Sequence, residues 1–127
     1  MEGLEISEVA RTMNIKPHTL RYYESIGLIQ GVHRNDSRKR IYSEKDIEWI
    51  RFLNRLRATG MNIRKMTEYA RLRHLGDETV PERRRMMEEH LASIDMEIQK
   101  LMEARAFVEK KIDIYKQMEE ELHEQQE

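Results

Sequence analysis

The chain contains no cysteine. Disulfides, zinc-thiolate centres, thiol catalysis and redox sensing through its own sulfur are therefore excluded. Glycine and proline are scarce, five and two among 127 residues, and no Gly-rich phosphate loop or nucleophile elbow occurs. The five histidines, His18, His33, His74, His90 and His123, lack metal-ligand spacing. No apolar run approaches the roughly 18 residues of a membrane span. Nothing at the N-terminus has the basic-then-apolar pattern of a signal peptide. The expectation is a soluble, cytoplasmic protein that is not an enzyme, uses no cofactor or metal and meets no membrane.

What the chain has in excess is charge, 37% of residues against roughly 25% in ordinary domains. That is too much for one globule with a large core, and it points to an elongated helical part. The net charge of −1 hides an asymmetry: residues 1–75 carry 15 basic and 9 acidic side chains, residues 76–127 carry 8 and 15. The front half is suited to a polyanion and the rear half is not. A division at this point gives a domain over 1–75 and, over 76–127, a linker, a helix and a polar tail from Lys116.

The stretch from Lys16 to Leu28 organises the front half. Pro17 presets helical φ and disfavours helical geometry at Lys16, so a helix starts there, and Gly27 ends it. Leu20 and Tyr23 fall on one side; His18, Arg21, Tyr22 and Ser25 fall on another. Before it, Ile6, Val9, Ala10 and Met13 form an apolar face on a helix that Ser7 is placed to cap and that runs to about Asn14. Two short helices joined by a turn at Asn14-Ile15-Lys16 read as a helix-turn-helix. A helix presenting a cation, a phenol and an imidazole outward suits base edges at its N-terminus and phosphates beside them.

After Leu28 the periodicity changes. Ile29 and Val32 flank Asn35-Asp36-Ser37 on one side and Ile41 and Tyr42 on the other, as in a short hairpin, and Arg34, Arg38, Lys39 and Arg40 make it a basic wing. Ser43 and Asp46 resemble a capping box opening a helix from about Glu44 to Ala58, with Ile47, Ile50, Phe52, Leu53 and Leu56 inward and Trp49 either core or exposed anchor. Asn62 caps the next helix, with Ile63, Met66, Tyr69, Ala70 and Leu72 or Leu75 apolar and Gly76 closing it. Arg57, Asn62, Arg64 and Lys65 gather at the junction as a second phosphate-facing corner.

A final helix starts at Thr79 and Pro81. Met87, Leu91, Ile94, Ile98, Leu101, Arg105, Val108, Ile112, Tyr115, Glu119 and Leu122 step by four and three residues, which is a coiled-coil seam. From Val80 to Glu121 such a helix extends roughly 60 Å. A domain of 75 residues cannot cover that stripe, so a second chain is the natural partner. The seam by itself leaves parallel and antiparallel pairing open. Arg105 within it either meets an acid or snorkels.

Thr19-Leu20-Arg21-Tyr22-Tyr23-Glu24, Gly27-Leu28-Ile29, Arg40-Ile41-Tyr42 with Asp46 and Ile47, and Gly60-Met61-Asn62-Ile63 together resemble the MerR family of bacterial transcription regulators, over residues 4 to 75. The resemblance implies a mainly α fold, a winged helix-turn-helix followed by a long dimerisation helix in an antiparallel coiled coil. It further implies a homodimer that binds a pseudo-palindromic operator in double-stranded promoter DNA and distorts the spacer so that RNA polymerase engages both promoter elements. Carried onto this chain, Lys16, His18 and Thr19 match base or nearby phosphate contacts. Arg21, Tyr22 and Tyr23 match backbone-contacting and helix-anchoring positions, and Arg38, Lys39, Arg40 and Tyr42 match the wing. Arg64 joins them from the junction, and Met87, Leu91, Ile94, Ile98, Leu101, Val108, Ile112 and Tyr115 form the dimer seam.

Glu24 would repel phosphate and is expected to pair with a nearby arginine. The cysteines of metal-sensing members and the separate ligand domain of multidrug-sensing members have no counterpart here. A small-molecule effector, unidentified, would be met around Tyr69, Arg73, His74 and Met86. A coiled-coil adaptor that binds protein or RNA, and an architectural excisionase-type protein, are the competing readings. The long seam disfavours the latter.

Overall fold

In the computed structural model, which describes residues 3–126, the chain is extended at Leu4–Glu5 (β1) and turns directly into the helix Ile6–Met13 (α1). Ser7 therefore lies inside the first turn and does not cap it. Glu5 occupies the cap position and makes no side-chain cap bond. The reason is distant: Leu4 and Glu5 pair antiparallel with Tyr42 and Ile41, and the strand ends where the helix must begin. At Gly3 a β-carbon would sit 2.7 Å from the Tyr42 carbonyl oxygen, so the chain approaches that strand where no side chain intervenes.

Asn14 adopts the left-handed conformation (φ 53°) that ends α1, one that a short polar side chain tolerates. The second helix, Pro17–Ser25 (α2), follows after two residues, with Pro17 in its first turn and Lys16 extended before it, as the proline dictates. Regular helix stops at Ser25, and Gly27 at φ 82° redirects the chain so that Leu28 and Ile29 enter the core.

The wing is a hairpin of His33–Arg34 (β2) and Arg40–Tyr42 (β3), with His33 opposite Ile41 and Arg34 opposite Arg40. The sheet order is β1-β3-β2, so the first strand of the chain lies on the far edge. Ile29 is not part of the hairpin and is instead buried in the core. Helix Glu44–Ala58 (α3) opens on a complete capping box between Ser43 and Asp46, and Asn62 caps Ile63–Leu75 (α4) by accepting from the Lys65 N–H at 2.9 Å.

These elements enclose one core in which Val9, Leu20, Leu28, Ile29, Tyr42, Ile50, Leu53 and Met66 are fully buried. Trp49 belongs to it and is also an anchor: its Nε1 donates to the Leu28 carbonyl at 2.8 Å. After α4 a 3-10 turn over Asp77–Thr79 leads into the 47-residue helix Val80–Gln126 (α5). Thr79 is buried at the elbow. Its hydroxyl is shared between the Leu72 and Gly76 carbonyls at 2.6 and 2.8 Å and accepts from Arg83 Nε at 3.1 Å. One compact unit extends through Glu88, with Met87 packed against its core, and a second begins at Glu89. No helix among the described residues is long and apolar enough to cross a membrane.

Candidate nucleic-acid interface

Helix α2 buries Leu20 and Tyr23 and presents His18, Arg21, Tyr22 and Ser25 to solvent, the division expected from helical spacing. Lys16 is exposed just ahead of the helix and Thr19 is half-buried. Tyr23 is an anchor rather than a surface group, since its hydroxyl accepts from Arg57 Nη1 at 3.1 Å. That bond ties α2 to the end of α3. A groove beside α2 is lined by His18, Thr19, Tyr22, Arg57, Asn62 and Ile63, so two members of the expected junction corner adjoin the recognition helix. Arg64 is exposed on the first turn of α4 and does not line that groove.

On the other side of α2 a second groove is lined by Arg21, Arg34, Arg38, Lys39 and Arg40 together with Glu5, Ile6 and Ser7. The wing turn that carries these cations is built on Asn35, whose Oδ1 accepts from the Ser37 and Lys39 N–H groups at 3.0 and 2.9 Å. Arg38 sits in the left-handed region (φ 62°), and Arg34 Nη1 donates to its carbonyl at 3.1 Å. Arg40 donates to the Glu24 carboxylate, the pairing expected from the misfit of an acid on this helix.

Tyr42, expected among the wing's contact residues, is fully enclosed in the core instead. It follows Ile41 on β3, and the alternation of the strand turns it inward over α1 and α3. Its hydroxyl has no hydrogen-bond partner among the described residues. Burial pushes the phenol above its ordinary pKa and Glu24 adds to this, while Arg40 and Arg21 oppose it.

Of the residues expected to meet an effector, Tyr69 and Arg73 both lie against the Trp49 ring. Tyr69 is half-buried and stacks on Trp49, with ring centroids 5.9 Å apart, beside Phe52. The Arg73 guanidinium lies 4.1 Å from the Trp49 ring centre. His74 is exposed at the end of α4, and partial desolvation, followed by the charge of Arg73, holds its imidazole below the usual value. Met86 is half-buried in the second turn of α5.

Along α5 the seam is largely open to solvent. Met87 and Ile94 are half-buried, whereas Leu91, Ile98, Leu101, Val108, Ile112 and Tyr115 are exposed, Leu101 by 68%. Arg105 pairs with Glu109 one turn further on, at 2.6 Å, so its charge is answered within its own helix. Lys111 Nζ lies 5.1 Å from the centre of the Tyr115 ring.

What sequence reasoning missed here is of one kind. The bond from Arg34 to the Arg38 carbonyl depends on a turn four residues long, for which the only local signal is the Asn35-Asp36-Ser37 tip. Ile63, which lines the α2 groove, read only as an apolar helix position, and Met61 beside it only as part of a family motif.

Comparison with known proteins agrees with this geometry. Residues 4–72 match the family model of the MerR HTH family regulatory protein, and residues 47–110 match that of the MerR DNA-binding region. The HTH-type transcriptional regulator AdhR of Bacillus subtilis is 42% identical over 84 residues, which are 66% of this chain and 60% of AdhR. YyaN of the same organism, also an HTH-type transcriptional regulator, is 30% identical over 87% of this chain and 88% of its own length. Among solved structures, HiNmlR, a MerR family regulator lacking the sensor domain and bound to promoter DNA, superposes with a TM-score of 0.83 at 27% identity, covering 91% of each chain. These relatives are regulators and not enzymes. A helix-turn-helix with a basic wing, matched by the family over more than half of the chain, makes this protein a member of the MerR family of transcription regulators, with that family's DNA-binding domain.

Proposed function

We propose that the chain binds a pseudo-palindromic promoter operator as a homodimer and controls transcription by distorting the spacer DNA so that RNA polymerase engages both promoter elements. Lys16, His18 and Thr19 approach base edges in the major groove. Arg21, Tyr22 and the exposed wing cations Arg38 and Lys39 meet the phosphates on one side, and Arg57 and Asn62 meet them on the other. Helix α5 pairs antiparallel with that of a second copy through its seam. Specificity at the uncontacted base pairs then comes from the energy of bending and untwisting the sequence between two half-sites.

The observation that carries this reading is the combination of a groove lined by five cations between α2 and the wing with six exposed seam side chains on α5. A monomer has no use for the second feature, because apolar side chains left in water each forfeit roughly 1.5–3 kcal/mol of burial. The DNA-bound state of HiNmlR supports the first.

The test is a titration of the purified protein against duplexes that tile its own upstream promoter region, at several salt concentrations, with Arg21→Ala and Arg38→Ala alongside. Nanomolar binding to one pseudo-palindrome, about a thousandfold tighter than to random duplex and weakened in both variants, is expected. Equal, weak binding to every duplex would overturn it.

A further inference from the structure

The four cations of the wing are not equivalent. Arg40 donates from Nε to one oxygen of the Glu24 carboxylate, sixteen residues earlier in the chain, and Arg34 Nη2 stands 4.0 Å from the other oxygen. Arg34 is also committed to the Arg38 carbonyl. The side chains of Glu24 and Arg40 are 23% and 22% exposed, so this contact is largely shielded from water. Arg21, Arg38 and Lys39 are exposed, and among the described residues their side chains take part in no hydrogen bond or ion pair.

β3 is held on its far side by β1, but the edge strand β2 is joined to the sheet only by a two-residue pairing, too short to hold the wing in place by itself. An acid on the helix that faces DNA would, alone, oppose binding by repelling phosphate. Beneath two guanidinium groups it does the reverse: its charge is compensated, and a charge-assisted bond fixes the wing to the recognition helix.

We propose that Glu24 is a positioning residue for DNA recognition, resting on the promoter-binding reading above: it holds Arg40, and at longer range Arg34, as struts between α2 and the wing, and leaves Arg21, Arg38 and Lys39 as the cations that meet phosphate. Arg40, which the family resemblance groups with the phosphate-contacting wing, acts through the geometry it imposes.

Anisotropy titrations of the full chain against its tightest promoter duplex and against random duplex, across a salt series, separate struts from contacts. Each phosphate contact contributes about one to the slope of log affinity against log salt, so Lys39→Gln lowers the slope by about one on both duplexes. Arg40→Gln leaves the slope unchanged and reduces the promoter-over-random ratio by about tenfold. Glu24→Gln, nearly isosteric, reduces that ratio equally but steepens the slope on random duplex, because it releases a cation. The double variant is no worse than either single one, and Glu24→Asp recovers part of the ratio.

Arg40→Gln lowering the slope as much as Lys39→Gln, or single losses that add in the double variant, would overturn the proposal. If no duplex is preferred to random DNA, the promoter reading fails, while the slope of Arg40→Gln on random duplex still decides between strut and contact. Melting temperatures of the parent, Glu24→Gln, Arg40→Gln and the double variant provide a readout without DNA: Glu24 and Arg40 contributing independently to stability would also overturn the clamp.

Discussion

A phenol is costly to bury when its hydroxyl has no partner, and Tyr42 is fully enclosed with an unpartnered oxygen. The ring fills the space between sheet and helices, and the hydroxyl adds desolvation without a bond. Tyr42→Phe is therefore expected to equal or exceed the parent in stability, by up to ~1 kcal/mol, in urea unfolding followed by circular dichroism. Trp49 is the opposite case, since its indole N–H satisfies the Leu28 carbonyl and its ring lies under Arg73. Trp49→Phe keeps an aromatic ring but orphans that buried carbonyl, and should cost about 1–3 kcal/mol in the same assay; a neutral result would mean that the bond contributes nothing. His74 adds a pH dependence. Its imidazole is held below the ordinary value, so the unfolded chain takes up the proton first as pH falls. The contribution to stability is complete above about pH 6.5 and is lost as pH drops through the depressed folded value. In His74→Gln this acid-side decline should be absent from melting temperatures compared at about pH 7 and pH 5.5.

At the level of elements, the joints carry more information than the helices. The α4–α5 elbow depends on one hydroxyl that serves two carbonyls and one guanidinium. Thr79→Val preserves shape and removes all three bonds, leaving Arg83 Nε and the buried Leu72 carbonyl unsatisfied, with an expected loss of about 1–3 kcal/mol. Thr79→Ser should retain most of it, and equal effects from the two would show that the methyl, not the hydroxyl, matters. Helix starts are legible because their signals are local: Pro17 for α2, Ser43 with Asp46 for α3 and Asn62 for α4 all act within three residues. The start of α1 is not, because it is decided by a strand pairing between Leu4 and Tyr42. No periodicity in a two-residue strand can announce that.

For the whole molecule the question is what covers α5. Leu101→Glu places a carboxylate in the seam, and burying it against a second copy would cost enough to weaken self-association by about a hundredfold or more in sedimentation equilibrium. Phe107, the most exposed large apolar side chain at 76% and off the seam, is the control: Phe107→Ser should leave association unchanged. Loss of association in the control and not in Leu101→Glu would move the interface to another face of the helix.

The sequence by itself determined whatever depends on neighbours in the chain: the order of the helices, their caps, the seam at steps of three and four, and the partition of charge between the halves. It also determined that an acid on the recognition helix needs a cation. Only the tertiary structure decided which cation, that Tyr42 turns inward while Arg38 and Lys39 face out, and that Trp49 is core and anchor together. The first and last of those outcomes join residues 16 and 21 positions apart, Glu24 with Arg40 and Leu28 with Trp49. Periodicity reports which face of an element is apolar, but only the packed arrangement of several elements decides which polar groups meet across them.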